Sequence, residues 1–333
     1  TALGTSALEN NTTASYNTAV GYQAAYTNTT GTENVALGVF SLYANTTGIR
    51  NTALGKSAME VNTTGTDNVA VGVTALDANT TGANNTALGN FSLTNNTTAS
   101  NNTAVGYQAG KAVTTGASNT LIGSLAGDAL TDGNQNVAVG YHSLSAEIRG
   151  DKNIAIGAGA LQVQSNSTDV DAFNVAVGHA AGAGVTTGIN NTLIGGLAGD
   201  AFNVAVGSKA GESVTTGVSN TLIGGLAGDA FTDADYNVAI GHQALSADTL
   251  GSNSVAIGDA ALRAQNFTTA TNAYNVAVGA SAGINVTTGV NNTLIGGLAG
   301  DSITTGGSNV ALGTSALQAN TTASQNVALG YQA

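Results

Sequence analysis

The sequence predicts an all-β chain wound as a parallel β-solenoid (a β-roll or β-helix) of about 20 coils with about 17 residues in each. Three observations carry this. First, a signature of Asn, Thr or Val, Ala, an aliphatic residue and Gly recurs with little change from Gly4 to Gly330. Second, 16 of the 19 intervals between successive signature glycines are identical in length, as from Gly55 to Gly72 and from Gly72 to Gly89. Third, a stretch such as Asn136-Val137-Ala138-Val139-Gly140 alternates large and small side chains, the period-2 pattern of a strand with one face buried.

The other composition figures agree with strands. The chain has 46 Gly, no Pro, no Cys, no Trp and only 8% charged residues. A 17-residue unit is too short for a helical hairpin, and its Gly and β-branched content disfavours helix. Without Pro no ladder donor is lost. Stacked coils spaced ~4.8 Å apart make a rod on the order of 95 Å long. The three odd intervals read as loop changes in one continuous domain, 1–333. Two 21-residue intervals place insertions near 162–173 and 263–274, and a 12-residue interval shortens the coil 195–207. The chain begins and ends inside a repeat, which reads as a fragment of something longer. Near-copies at 1–24, 86–109 and 310–333 suggest growth by duplication of coils.

The expected interior follows from the pattern. The residue before the signature Gly is Val, Leu or Ile in all 20 units, and Val139-like side chains are expected to fill the coil. A compensation runs beside it. Where the fourth residue after the Gly is Leu or Met, as at Leu76, the seventh is polar, as at Asn79. Where the fourth is Gly, as at Gly110, the seventh is apolar, as at Val113; Gly199 with Phe202 is another such pair. The two positions are expected to compete for one interior slot of fixed volume, with the polar seventh residue pointing outward.

Charge and cysteine count exclude several roles. Seven Lys and Arg in a chain of net charge −12 make no stripe for nucleic acid and disfavour an anionic membrane surface. No apolar run approaches the ~20 residues that span a bilayer, so no membrane insertion is expected in this segment. No Cys means no disulfide framework and no thiolate metal site.

The signature, in Asn253-Ser254-Val255-Ala256-Ile257-Gly258 and Asn153-Ile154-Ala155-Ile156-Gly157, resembles the head repeats of trimeric autotransporter adhesins of the YadA type. Asn102-Thr103-Ala104-Val105-Gly106-Tyr107-Gln108-Ala109 is similar to repeats of phage tail-fibre proteins. The first resemblance implies a left-handed parallel β-roll, commonly trimeric, that binds matrix or host surfaces. The 17-residue period is longer than expected for that family, and its coiled-coil stalk and membrane anchor are absent from this segment.

Candidate sites are few. Asn-Thr-Thr begins at Asn11, Asn28, Asn45, Asn62, Asn79, Asn96 and Asn320, which fits the N-glycosylation acceptor pattern; the bland alternative is an Asn/Thr ladder across coils. The insertions carry Phe173, Phe267 and Tyr274, the best positions for binding loops. Asp128, Asp200, Asp229 and Asp301 follow Leu-Ala-Gly and suit turns better than calcium, because the Gly-Gly-x-Gly-x-Asp nonapeptide is missing. His142, His179 and His242 have no nucleophile motif beside them. No enzyme, cofactor or metal is expected. The expectation is a structural or adhesive rod or filament, self-associating as a trimer or filament and extracellular or at the cell surface, with a possible surface or glycan ligand. A virion tail-fibre shaft and an ice-binding solenoid, with Thr pairs from Thr12-Thr13 to Thr321-Thr322 as its water-ordering row, are the alternatives.

Overall fold

Strands of three residues recur once per coil and pair in parallel with the strand one coil away. In a computed structural model that describes residues 1–198 and 203–333, Val69–Val71 lies between Thr52–Leu54 and Thr86–Leu88, with Ala70 opposite Ala53 and Ala87. The chain is an all-β parallel β-solenoid with coils of about 17 residues, and no helix occurs among the described residues. It forms two compact units, Thr1–Phe173 and Asn174–Ala333.

Register survives the irregular coils, as expected of changes confined to loops. Thr192–Ile194 pairs with Val204–Val206 across the shortened coil. Val255–Ile257 pairs with Val276–Val278 across a lengthened one. Each insertion adds a two-residue ladder of its own, Gly150–Asp151 with Val170–Asp171 and Gly251–Ser252 with Thr271–Asn272.

The strands face the other way from the expectation. In Val137–Val139 it is Ala138 that is fully buried, while Val137 and Val139 point outward and are only partly covered. The same holds along the chain: Ala70 is buried and Val71 is 38% exposed. The reason is the width of the coil. The interior must also hold the residues three, four and seven places after the Gly, which leaves room for one methyl group from most strands.

The compensation is corrected as well. Leu76 and Asn79 are both fully buried, so they share the interior rather than compete for it. Where the fourth residue is Gly, the apolar seventh does lean into the space it leaves, since a methyl group added to Gly228 would lie 2.7 Å from Phe231 and one added to Gly300 would lie 2.8 Å from Ile303. The rest is filled from a third position, the middle of the strand. Most strands carry Ala there, but some read Thr-Leu-Ile, and in those a Leu points inward. A methyl group added to Gly110 would lie 2.6 Å from Leu121 Cδ1, and one added to Gly127 would lie 2.8 Å from Leu121 Cδ2. One Leu therefore fills the remaining space beside two glycines in successive coils. Leu222 does the same for Gly211 and Gly228, and Leu294 for Gly283 and Gly300. Gly199 and Phe202 lie outside the described residues.

The signature glycine is needed for close approach, and a second close position is Gly in most coils but Ala in some, as at Ala99 and Ala234. A Cβ on Gly72, at φ +138°, would sit 2.6 Å from the carbonyl carbon of Gly89 in the next coil; a Cβ on Gly65 would sit 2.7 Å from Asn79 Nδ2. Between them the chain turns through left-handed residues that are seldom Gly: Thr74, Leu76 and Asn84 have φ of 51°, 54° and 57°. Each costs roughly 1–2 kcal/mol, and burial of side chains such as Leu76 offsets it.

Much of the interior is amide. The signature Asn51 receives the Asn68 backbone N–H at its Oδ1 (3.1 Å) and donates from Nδ2 to the Gly65 carbonyl (2.8 Å). Asn62 donates to the same Gly65 carbonyl (3.2 Å) and to Asn45 Oδ1 (2.8 Å). Both pairs repeat in neighbouring coils. The first Thr of most Thr pairs adds a third ladder, as Thr46 Oγ1 donates to the Thr63 carbonyl at 3.1 Å.

Leu121→Ala is expected to cost about 3–5 kcal/mol, the upper range for a Leu truncation, because the flanking Gly110 and Gly127 offer no side chain to collapse into the void. Urea denaturation checks this, and Leu121→Met is expected to cost less than ~1.5 kcal/mol.

Candidate functional site

The Asn-Thr-Thr asparagines do not form an outward row. Asn28, Asn45, Asn62, Asn79 and Asn96 are fully buried, and each donates from Nδ2 to its counterpart one coil back at 2.7–3.0 Å. The outward placement read from the sequence is thus corrected to a buried amide ladder. Asn is accepted in the interior because amides stacked in register satisfy one another. Asn11 and Asn320 remain partly exposed. The ladder stops at Asn96, whose Oδ1 has no donor because the next coil carries Val113 there.

Two carboxylates occupy this same buried position immediately before the long coils. Glu147 is fully buried. Its Oε1 accepts the backbone N–H groups of Ile148, Arg149, Gly150 and Asn166 at 2.8–3.1 Å. Its Oε2 accepts Gln164 Nε2 and Asn166 Nδ2 at 2.8 and 3.0 Å. Asp248 repeats the arrangement, accepting from Gly251 and Phe267 backbone N–H (both 3.0 Å) and from Gln265 Nε2 (2.6 Å). These polar side chains were expected to point outward; instead they anchor the inserted loops from within. A carboxylate surrounded by converging N–H dipoles is stabilised without a cation.

The anchored loops divide the three aromatic candidates. Phe267 is buried against the coil at 6% exposure, so it belongs to the core. Phe173 and Tyr274 are exposed at left-handed positions of the two loops. Lys152 lies 5.0 Å over the Phe173 ring and pairs with Asp171 at 2.7 Å. A separate aromatic cluster occurs in the first coils, where Tyr26 stacks on Tyr43 (5.3 Å) and Tyr22 meets Phe40 edge-on (5.5 Å).

Titratable groups are scattered. Among the described residues no three His, Asp or Glu converge on a point where a metal ion would sit. His142 lies against Tyr141, His179 is exposed, and His242 contacts Asp259 at 3.2 Å on the surface. Asp77, Asp128, Asp229 and Asp301 each keep one buried oxygen without a hydrogen-bond partner in the chain; Asp200 lies outside the described residues. Burial, helped by the Glu60 carboxylate one coil away, pushes Asp77 up to about 6. Burial also raises Asp128 and Asp229.

The Thr pairs present one outward rank. Thr30, Thr47, Thr64, Thr81 and Thr98 are exposed, while their partners are committed to the inter-coil ladder. A uniform surface missed from the sequence is the outward face of the strands. Leu37, Val71, Ile122 and Ile156 are 38–44% exposed in the first unit, and Ile194, Ile223, Ile257, Ile295 and Leu312 are similarly exposed in the second. The signal was the strict Val, Leu or Ile before each signature Gly, which was assigned to the wrong side of the wall.

Two outcomes check these assignments. Glu147→Gln replaces an oxygen with a donor amid donors, and is expected to lower the melting temperature by several degrees and to open 162–173 to limited proteolysis, leaving the coils before Gly140 protected. Asp77 has its folded pKa raised, so its ionisation costs stability that is lost as pH rises from about 4 through 6. Asp77→Asn is therefore expected to raise the melting temperature at pH 7.5 and to leave it nearly unchanged at pH 4.

No protein-family model matches the chain, and no curated protein is similar to it.

Proposed function

We propose that this chain is a structural element, a rod or filament segment with adhesive surfaces, displayed outside the cell. The observation that supports the reading is where the polar chemistry lies. Asn, Gln, Glu and Thr side chains are spent on joining one coil to the next, and among the described residues the His, Asp and Glu groups form pairs such as Lys152 with Asp171 but no cluster of three. Catalysis requires a nucleophile, a base and an orienting group within hydrogen-bond reach. Here the repeated investment is in inter-coil bonding, with function distributed over ranks of equivalent residues.

Coil number tests this. Removing residues 69–85 joins Asn68 to Thr86 in the same phase of the repeat. The shortened chain is expected to keep its circular-dichroism spectrum, and beads coated with it are expected to hold to protein- or polysaccharide-coated glass under flow as well as beads carrying the full chain. Loss of all retention on removing this one coil, with the fold intact, would point to a localised site and against a distributed structural role.

A further inference from the structure

We propose that the outward aliphatic face of the strands is the surface on which a second copy of this chain packs. This rests on the structural reading above and names its partner. Three observations converge on it.

The first is constraint within the chain itself. The outward residue before the signature Gly is Val, Leu or Ile in every one of the 20 coils. Another outward rank, five residues before the same Gly, reads Tyr16, Glu33, Arg50, Asp67, Asn84, Asn101, Ser118, Gln135 and Lys152 in nine successive coils. Solvent tolerates nearly anything at the second rank. Strand propensity does not explain the first, since Thr suits a strand as well as Val does. Thr is indeed used at the other outward strand position, at Thr18, Thr52, Thr86, Thr103 and Thr120. A rank that faces water in the single chain yet never accepts Thr is a rank covered by something apolar.

The second observation is area. In the first unit alone 14 outward residues of the signature strands are Val, Leu or Ile, and at roughly 50 Å² each they offer on the order of 700 Å² of apolar surface, close to the ~800 Å² per partner of a stable complex. Monomeric proteins rarely leave apolar patches of more than a few hundred Å² uncovered.

The third observation selects the partner. None of the signature strands carries a charged residue, although the chain has net charge −12. Two copies therefore meet on this face without placing carboxylates against each other. A second copy also presents the same ridge at the same spacing of one strand per coil, ~4.8 Å, so side chains interdigitate along the face. A partner without that period matches only a coil or two.

Cysteine scanning and mass measurement test the proposal on the full chain, which has no Cys of its own. Light scattering of the eluting wild-type protein is expected to give a whole multiple of 32.3 kDa. Val71→Cys under mild oxidation is expected to give a disulfide-linked pair at twice 32.3 kDa, and Thr81→Cys on the exposed Thr rank is expected to give little. Leu54→Lys with Val71→Lys is expected to shift the mass to 32.3 kDa with the circular-dichroism spectrum kept, whereas Thr64→Lys with Thr81→Lys keeps the multimer. If the Lys pair does not fold, Leu54→Thr with Val71→Thr serves in its place. A wild-type mass of 32.3 kDa at the highest soluble concentration overturns the proposal, whether or not the chain then sediments with neutral phosphatidylcholine vesicles. So does a folded face variant that stays multimeric, or equal crosslinking from Val71→Cys and Thr81→Cys. A monomer that still passes the coil-removal test leaves the structural reading standing and removes only the partner.

Discussion

A primary amide enclosed in a protein must place two N–H donors and an oxygen acceptor, and doing so fixes its neighbours. In this chain that constraint operates once or twice in most coils. Asn51 binds the Asn68 backbone and the Gly65 carbonyl, and Asn62 binds Asn45 and the same carbonyl. A slip of one residue between coils would strand all of these groups at about 1–3 kcal/mol each. The amides therefore set the phase of the winding, and the aliphatic part of the interior only has to fit the space that results. This explains why shortened and lengthened coils are both accepted while the strands stay opposite each other.

The same constraint accounts for the narrow interior and for its strained turns. Pulling two amides and a Gly carbonyl together brings the walls so close that most strands contribute only Ala inward. The remaining apolar volume falls to Leu or Met at a left-handed residue, or to a Leu from the strand with glycines around it. Glu147 and Asp248 show what happens when a longer loop must be held: the amide is exchanged for a carboxylate, which collects N–H groups from the insertion as well as from its own coil.

Much of the architecture was legible in the sequence. The period named the coil, the alternation named the strand, and the recovery of phase after 157–178 and 258–279 placed the insertions. The side facing inward was not legible, because the usual rule puts bulk inside, and here Ala138 goes in while Val137 and Val139 stay out. Nor were the left-handed residues, since Thr74, Leu76 and Asn84 carry no mark of positive φ as Gly would. The Asn-Thr-Thr rows allowed two readings, an acceptor row and an Asn/Thr ladder across coils; the ladder is what the structure contains, and what the letters did not show is that its asparagines lie inside. Of the loop aromatics, Phe267 was indistinguishable from Phe173 until the Asp248 anchor drew its backbone inward.

The Leu that serves two glycines has a consequence for heredity. Coils of the Leu76 kind are self-sufficient, so unequal recombination can add or delete them singly. The coil of Gly110 is different: its vacancy is filled by Leu121, which belongs to the following turn. A genetic crossover falling between those two residues would hand one descendant a hole and the other a surplus side chain. In that part of the chain the smallest inheritable length is therefore a doublet of turns, and tandem expansion there should be expected to count in twos.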